Sequence, residues 1–227
     1  QIFLLACEHH RKKNFKLAEK FYNKILKIDT NHLESNFLLG TLFLQTKNFD
    51  RSIFTLNKTI QINPNHAESY NNLGSAYLEI GEPKKALKLL AKAVEINPKH
   101  PYVYYNLANA FKQLRNFKKA QIYYKKAIKI RPDNSNAYNN LGNVQKELGN
   151  WEEATNSYNK AIQLQPYNAK AYYNLGNVFK QLGNFEKAKK SYKKAFQYQP
   201  SSLETLWTLS GLDKEILDQN LKSKIYE

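Results

Sequence analysis

The sequence predicts an all-α array of stacked helix–turn–helix repeats, and three observations carry that reading. One short pattern returns every 34 residues: Leu39-Gly40, Leu73-Gly74, Leu107-Ala108, Leu141-Gly142 and Leu175-Gly176 hold one register, with Leu5-Ala6 before them. Pro64, Pro98, Pro132, Pro166 and Pro200 share the period, as do Ala86, Ala120, Ala154 and Ala188, and then Ala93, Ala127, Ala161 and Ala195. Within one period the apolar and small positions lie three and four residues apart, the spacing of a helix face. A fixed period of this length over most of a chain marks a repeat architecture, not a single globular core.

With Ala67 as position 1, full units run 33–66, 67–100, 101–134, 135–168 and 169–202, and 1–32 is a unit lacking its first two positions. Positions 4, 7, 8 and 11 fall at i, i+3, i+4 and i+7 and make the stripe of a first helix; positions 20, 24 and 27 make the stripe of a second. Small residues at 8, 20 and 27 let the two helices approach. In unit 1–32 the run Ile2–Cys7 reads as helix core, because it is too short for a signal peptide and follows no basic residues. Unit 33–66 departs most from the pattern, with Asn36, Ser52, Leu56 and Thr59. In units 67–100, 135–168 and 169–202, Gly81, Gly149 and Gly183 stand between the helices, where a helix end favours a left-handed residue. Unit 135–168 carries Gln145 at the otherwise aromatic position 11. The recurring Pro at position 32 ends each second helix, because it cannot continue the hydrogen-bond ladder. After residue 202, Leu203, Leu206, Leu209, Ser210 and Leu212 read as one more first helix with Trp207 added. Residues 203–227 are therefore expected to be a capping helix and a polar tail or linker, as solenoid ends require.

Each unit resembles the tetratricopeptide repeat, whose pattern wants a bulky residue at 4, Leu-Gly/Ala at 7–8, aromatics at 11 and 24, Ala at 20 and 27, and Pro at 32. Unit 169–202 supplies it in full with Tyr172, Leu175, Gly176, Phe179, Ala188, Tyr192, Ala195 and Pro200. The resemblance implies a right-handed superhelical solenoid whose first helices line a concave groove through positions 2, 5, 6, 9, 12 and 13. Read at those positions, the chain carries Asn72, Asn106, Asn140 and Asn174 at 6, then Asn109, Asn143 and Asn177 at 9. Lys112, Lys146 and Lys180 stand at 12, and Tyr105, Asn139 and Tyr173 at 5. An Asn amide both donates and accepts, so a row of them can hold an extended peptide by its backbone. The lysines favour an acidic peptide, through association rate and register. This groove is similar to that of the tetratricopeptide domain of O-linked N-acetylglucosamine transferase. The likeness stops at units 1–66, where Phe3, Leu4, Phe37 and Leu38 make an apolar end. Family members that clamp a chaperone's C-terminal carboxylate place Lys at 5 and Arg at 6, and neither occurs here. Replacing Asn106, Asn140 and Asn174 by Ala is expected to abolish peptide capture and leave the array folded.

The remaining features exclude more than they add. The net charge of +16 is uneven: residues 101–200 carry 17 basic and 5 acidic side chains, residues 1–100 carry 15 and 9, and residues 201–227 carry 3 and 5. Only four of the 35 basic residues are Arg, which argues against nucleic-acid readout by bidentate contacts and leaves weak, salt-sensitive polyanion binding as an alternative. Lys24, Lys58, Lys92, Lys126, Lys160 and Lys194, all at position 26, should face outward on the second helices. His32, His66 and His100 recur at position 34. Stacked helices lie about 8–10 Å apart, whereas Zn–N bonds are about 2.0–2.1 Å. They read as turn residues and no metal is expected. No catalytic constellation or phosphate loop is present, so neither enzyme activity nor a cofactor is expected within the chain. The lone Cys7 points to a reducing, cytoplasmic setting. Starting at Gln1 and lacking Met, the sequence reads as a piece of something longer, so the second reading is the substrate-recruiting arm of a larger glycosyltransferase- or sulfotransferase-type enzyme. Partners are therefore expected to be protein or peptide, with no membrane span; oligomerisation through repeat ends stays open.

Overall fold

The computed structural model describes residues 1–212, and every regular element among them is a helix. The helices alternate as first and second members of pairs. These are α1 (Ile2–Arg11) with α2 (Phe15–Ile28), α3 (Leu33–Gln45) with α4 (Phe49–Ile62), and α5 (Ala67–Glu79) with α6 (Pro83–Ile96). Then come α7 (Val103–Gln113), α8 (Phe117–Ile130), α9 (Ser135–Glu147) with α10 (Trp151–Leu164), α11 (Ala169–Gln181) with α12 (Phe185–Tyr198), and finally α13 (Leu203–Ser210).

The turn inside each repeat has one geometry. Position 15 is left-handed every time: Lys13, Lys47 and Arg115 at φ 60°, 59° and 57°, Gly81, Gly149 and Gly183 at 76°, 78° and 72°. The residue after it donates back to the first helix, Asn48 N to Phe43 O at 2.8 Å and Asn184 N to Phe179 O at 2.9 Å, closing the helix end. Between repeats, position 34 caps the next helix. His32 and His66 accept from the backbone N–H of Ser35 and Ser69 at 3.2 Å, and Asn134 and Asn168 from Ala137 and Ala171 at 3.1 Å. His32 and His66 are thus N-caps, and no cluster of three or more His, Cys, Asp or Glu able to hold a metal exists among the described residues.

Close helix pairing follows from the small residues. A methyl added at Gly176 would meet Tyr192 Cε1 at 2.6 Å, so the position-24 ring lies directly on the first helix. In unit 33–66 the departures from Ala are polar but satisfied: Ser52 Oγ donates to Gly40 O at 2.8 Å and Thr59 Oγ1 to Thr55 O at 3.0 Å. Gln145 is likewise buried, donating to Glu153 at 2.9 Å and accepting from Ser157 Oγ at 2.6 Å.

The chain forms two compact units that divide at Asn116 and Phe117, between α7 and α8. The first holds α1–α7; one of its core clusters joins Ala6, Ala18 and Tyr22 to Leu39, Leu42 and Phe43. In the second, Ala154 and Tyr158 pack on Leu175 and Val178, and Ala188 and Tyr192 on Leu209 of α13. Thus the second helix of one repeat packs on the first helix of the next, and a shared core is built repeat by repeat. The outer residues of α13, Leu203 and Trp207, remain exposed. The tail expected after this helix lies outside the described residues. No helix among those described is long and apolar enough to cross a membrane.

Candidate functional site

In the first unit, the first helices are linked by a directed run of hydrogen bonds. Asn106 Nδ2 donates to Asn71 Oδ1 at 2.9 Å, Asn71 Nδ2 to Asn72 Oδ1 at 3.2 Å, and Asn72 Nδ2 to Thr41 Oγ1 at 3.0 Å. Thr41 Oγ1 in turn donates to Phe37 O at 2.9 Å. The run crosses α7, α5 and α3. Asn71 and Asn106 are buried and Asn72 is half-buried. Tyr105, Asn109 and Lys112 lie half-buried on α7. At the other end Phe37 stacks edge-on against His66 at 4.8 Å, Phe3 lies against His32 at 5.4 Å, Leu38 packs on the core, and Leu4 is exposed.

The second unit repeats the arrangement. Asn174 Nδ2 donates to Asn139 Oδ1 at 3.1 Å, the same pairing of position 6 with position 5 of the preceding repeat as in Asn106 and Asn71. Asn139 is buried beneath this bond, and Asn140 is half-buried beside it. At position 9 the polarity is reversed. Asn143 Oδ1 accepts from Tyr158 Oη, and Asn177 Oδ1 from Tyr192 Oη, both at 2.8 Å. Burial pushes the Tyr192 hydroxyl up to about 12 and raises that of Tyr158 further. Both therefore stay protonated and keep their Asn oxygens engaged at neutral pH. Tyr173 packs against the Tyr192 ring at 5.5 Å and donates to Glu204 at 2.9 Å; burial also raises its pKa.

Beside these amides is an open pocket of about 680 Å³. Lys146, Lys180 and Asn177 line it, with Trp151 and Phe185 from the following second helices. Lys146 lies 3.6 Å from Glu147, and Lys180 is exposed. The sequence had singled out three of the pocket's residues but not its aromatic wall, because Trp151 and Phe185 stand at position 17, outside the first-helix pattern. It had also missed Asn71, the acceptor for Asn106, although Asn139 at the equivalent position was on view.

Among the position-26 lysines, Lys92, Lys160 and Lys194 reach along their own second helices, whereas Lys58 lines a pocket of the first unit. Lys92 pairs with Glu95 at 2.9 Å, and Lys160 and Lys194 donate to Gln163 and Gln197 at 2.8 and 3.2 Å.

Tetratricopeptide repeat family models match residues 101–134 and 169–202, and two related repeat models match 123–155 and 146–183. The chain belongs to the tetratricopeptide-repeat family. A model described as anaphase-promoting complex, cyclosome, subunit 3 matches residues 11–93. No curated protein matches the chain. Among solved structures, MamA is 27% identical with a TM-score of 0.65, and the match covers 73% of this chain and 97% of that one. YrrB, described as a tetratricopeptide protein with an unusual peptide-binding site, is 21% identical with a TM-score of 0.65, covering 82% and 96%. PilF of Pseudomonas aeruginosa is 17% identical with a TM-score of 0.80, covering 92% and 96%. The last two show the fold alone. Tetratricopeptide-repeat proteins generally mediate protein–protein interaction.

Proposed function

We propose that this tetratricopeptide array grips an extended peptide along its first helices, with acidic side chains of the peptide meeting the lysines. The observation that carries the reading is the opposed orientation of the two Asn rows. At position 6, Asn174 spends an amide N–H on Asn139 and keeps its oxygen for an incoming N–H. At position 9, Asn143 and Asn177 give their oxygens to tyrosines, which turns their N–H groups towards an incoming carbonyl, although Asn177 also bonds Tyr173. An extended peptide presents both groups along one edge, so fixed donors and fixed acceptors side by side suit it better than freely rotating amides would. Lys146 and Lys180 stand at the edge of the same residues with Trp151 and Phe185, a setting for an acidic side chain next to an apolar one. Asn106 and Asn139 are assigned a supporting part, holding neighbouring amides in place. Asn72, Tyr105, Asn109 and Lys112 serve the first unit, and Asn140, Asn143, Lys146, Tyr173, Asn174, Asn177 and Lys180 the second. The peptide-binding site of YrrB supports the reading only as a precedent within the fold.

The orientation also changes the choice of variants. Asn106 and Asn174 bridge repeats, so the triple replacement with Ala leaves the buried Asn71 and Asn139 oxygens without donors. Each orphaned group costs about 1–3 kcal/mol, and the array would not stay unperturbed as the sequence suggested. Charge reversal at Lys146 and Lys180 leaves this packing alone. A fluorescein-labelled flexible peptide of Gly, Ser and Asp is expected to bind the wild type in anisotropy titrations. Lys146→Glu/Lys180→Glu should weaken it by at least about tenfold, roughly the 1.4 kcal/mol of one well-placed charge pair, and gain binding to the matching Gly, Ser and Lys peptide. Equal affinity of both peptides for both proteins would overturn the acidic preference. Binding of DNA that matches the Asp peptide's and survives physiological salt would favour the polyanion alternative.

A further inference from the structure

We infer that the first unit carries a second binding site, a pocket between α2, α3 and α4 that takes a tyrosine side chain from a protein partner. Position 4 is Tyr70, Tyr104, Tyr138 and Tyr172 in the four units that follow, but Asn36 in unit 33–66. The Asn36 amide turns back on its own helix start, donating to Thr30 O and His32 O at 3.0 Å each. It therefore does not fill the space a ring would take. In that space lies a pocket of about 430 Å³, within the range of ligand clefts. Leu26, Leu39 and Phe43 give it an apolar floor, and Phe54, Arg51 and Lys58 stand around it.

The chain itself indicates what fits. In unit 67–100 the position-4 ring, Tyr70, lies within electrostatic reach of Lys92, the lysine at position 26. In unit 169–202, Tyr172 lies 5.6 Å from the Tyr198 ring of the second helix. Lys58 is position 26 of unit 33–66 and faces the space where a ring is missing. An incoming tyrosine would thus find, beside an apolar floor, a lysine at the same register position as the one that Tyr70 meets in its own unit. Phe54 is 75% exposed, a large apolar cost for a residue with no cover, and it stands at the rim where it can close on a second ring. Arg51 does not compete for an anion. Its guanidinium is bound by Glu19 at 2.7 Å and lies over the Phe43 ring at 3.9 Å, so it acts as a fixed wall. With that fork engaged, the pocket suits an aromatic ring with one hydroxyl better than a phosphate or carboxylate. No residue of the Asn rows lines this site, and it does not depend on the peptide reading.

The test is an amide chemical-shift titration of the chain with millimolar acetyl-tyrosinamide, and with acetyl-leucinamide in parallel. Shifts from the tyrosine probe are expected to cluster at residues 23–26, 36–43 and 50–58, and to exceed those from the leucine probe. Phe54→Ala, a change at an exposed residue, should shrink them several-fold. Asn36→Tyr should abolish them, because the ring is then supplied from within. Shifts that are absent, of equal size in the tyrosine-containing repeats, equal for both probes, or undiminished in Phe54→Ala would overturn the inference.

Discussion

His100 shows how one residue's surroundings decide its chemistry. It repeats the position of His32 and His66, yet it is only 4% exposed, because α7 starts late, at Val103, and the ring is tucked under the turn. Burial lowers its pKa below the ordinary value, with Glu68 opposing only in part. Its Nδ1 accepts from Tyr102 N at 3.3 Å, so protonation removes an acceptor and buries a charge. The folded-state pKa lies below the unfolded one. The contribution to stability is therefore complete above about pH 6.5 and is lost as pH falls through that value towards the lower folded pKa. Melting temperatures measured from neutral to mildly acidic pH should fall more steeply for the wild type than for His100→Gln; parallel curves would contradict this. The turn position of all three histidines was legible from their 34-residue spacing. The burial of His100 was not, because it depends on where the next helix begins.

At the scale of the element, the turn between paired helices is the most repeated feature and the least evenly served. All six described turns use a left-handed residue at position 15, but only three supply Gly. Lys13, Lys47 and Arg115 bear the steric cost of a Cβ there, about 1–2 kcal/mol, against which Gly sets about 0.5–1 kcal/mol of extra chain entropy. Lys47→Gly should therefore stabilise the first unit by a few tenths to about 1 kcal/mol, seen as a higher denaturation midpoint with unchanged slope. A lower midpoint would show that the Lys47 side chain contributes more than the turn costs. The sequence identified Gly81, Gly149 and Gly183 as turn residues by type. It was silent on the lysines and the arginine, since only their shared position, not their chemistry, marks them. Helix faces behaved similarly. Gln145 and Asn36 stood out as departures, but one became a buried polar bridge to Glu153 and Ser157 and the other opened a pocket. Which outcome follows depends on whether neighbouring side chains can reach the odd residue, and a period of 34 carries no information on that.

Across the whole molecule, periodicity was sufficient for the fold class, because each repeat needs its neighbours to bury one face and a fixed period leaves few other ways to do so. The candidate site was half legible. The Asn and Lys positions could be read from the register, whereas amide orientation comes from Tyr158 and Tyr192 reaching across from the second helices. Those tyrosines link site and stability. Tyr22 in the first unit and Tyr158 and Tyr192 in the second are fully buried at position 24, and burial raises the pKa of each, that of Tyr192 to about 12. Their folded pKa values exceed the unfolded value near 10, so the protonated forms are favoured by folding. The resulting stability is intact below about pH 10 and drains away as pH rises through the folded values. Lysine titration over the same range weakens charge repulsion in this +16 chain, which acts in the opposite direction. A double variant, Tyr158→Phe/Tyr192→Phe, separates the two effects. It forfeits the hydrogen bonds to Asn143 and Asn177, about 0.5–1.5 kcal/mol each at neutral pH, but has no buried hydroxyl to ionise at those positions. Its denaturation midpoint should start lower than the wild type's and decline less between about pH 9 and pH 12, the two curves converging. If they stay parallel, the tyrosine hydroxyls ionise as freely in the folded chain as in the unfolded one, and neither burial nor the bonds to Asn143 and Asn177 holds their protons.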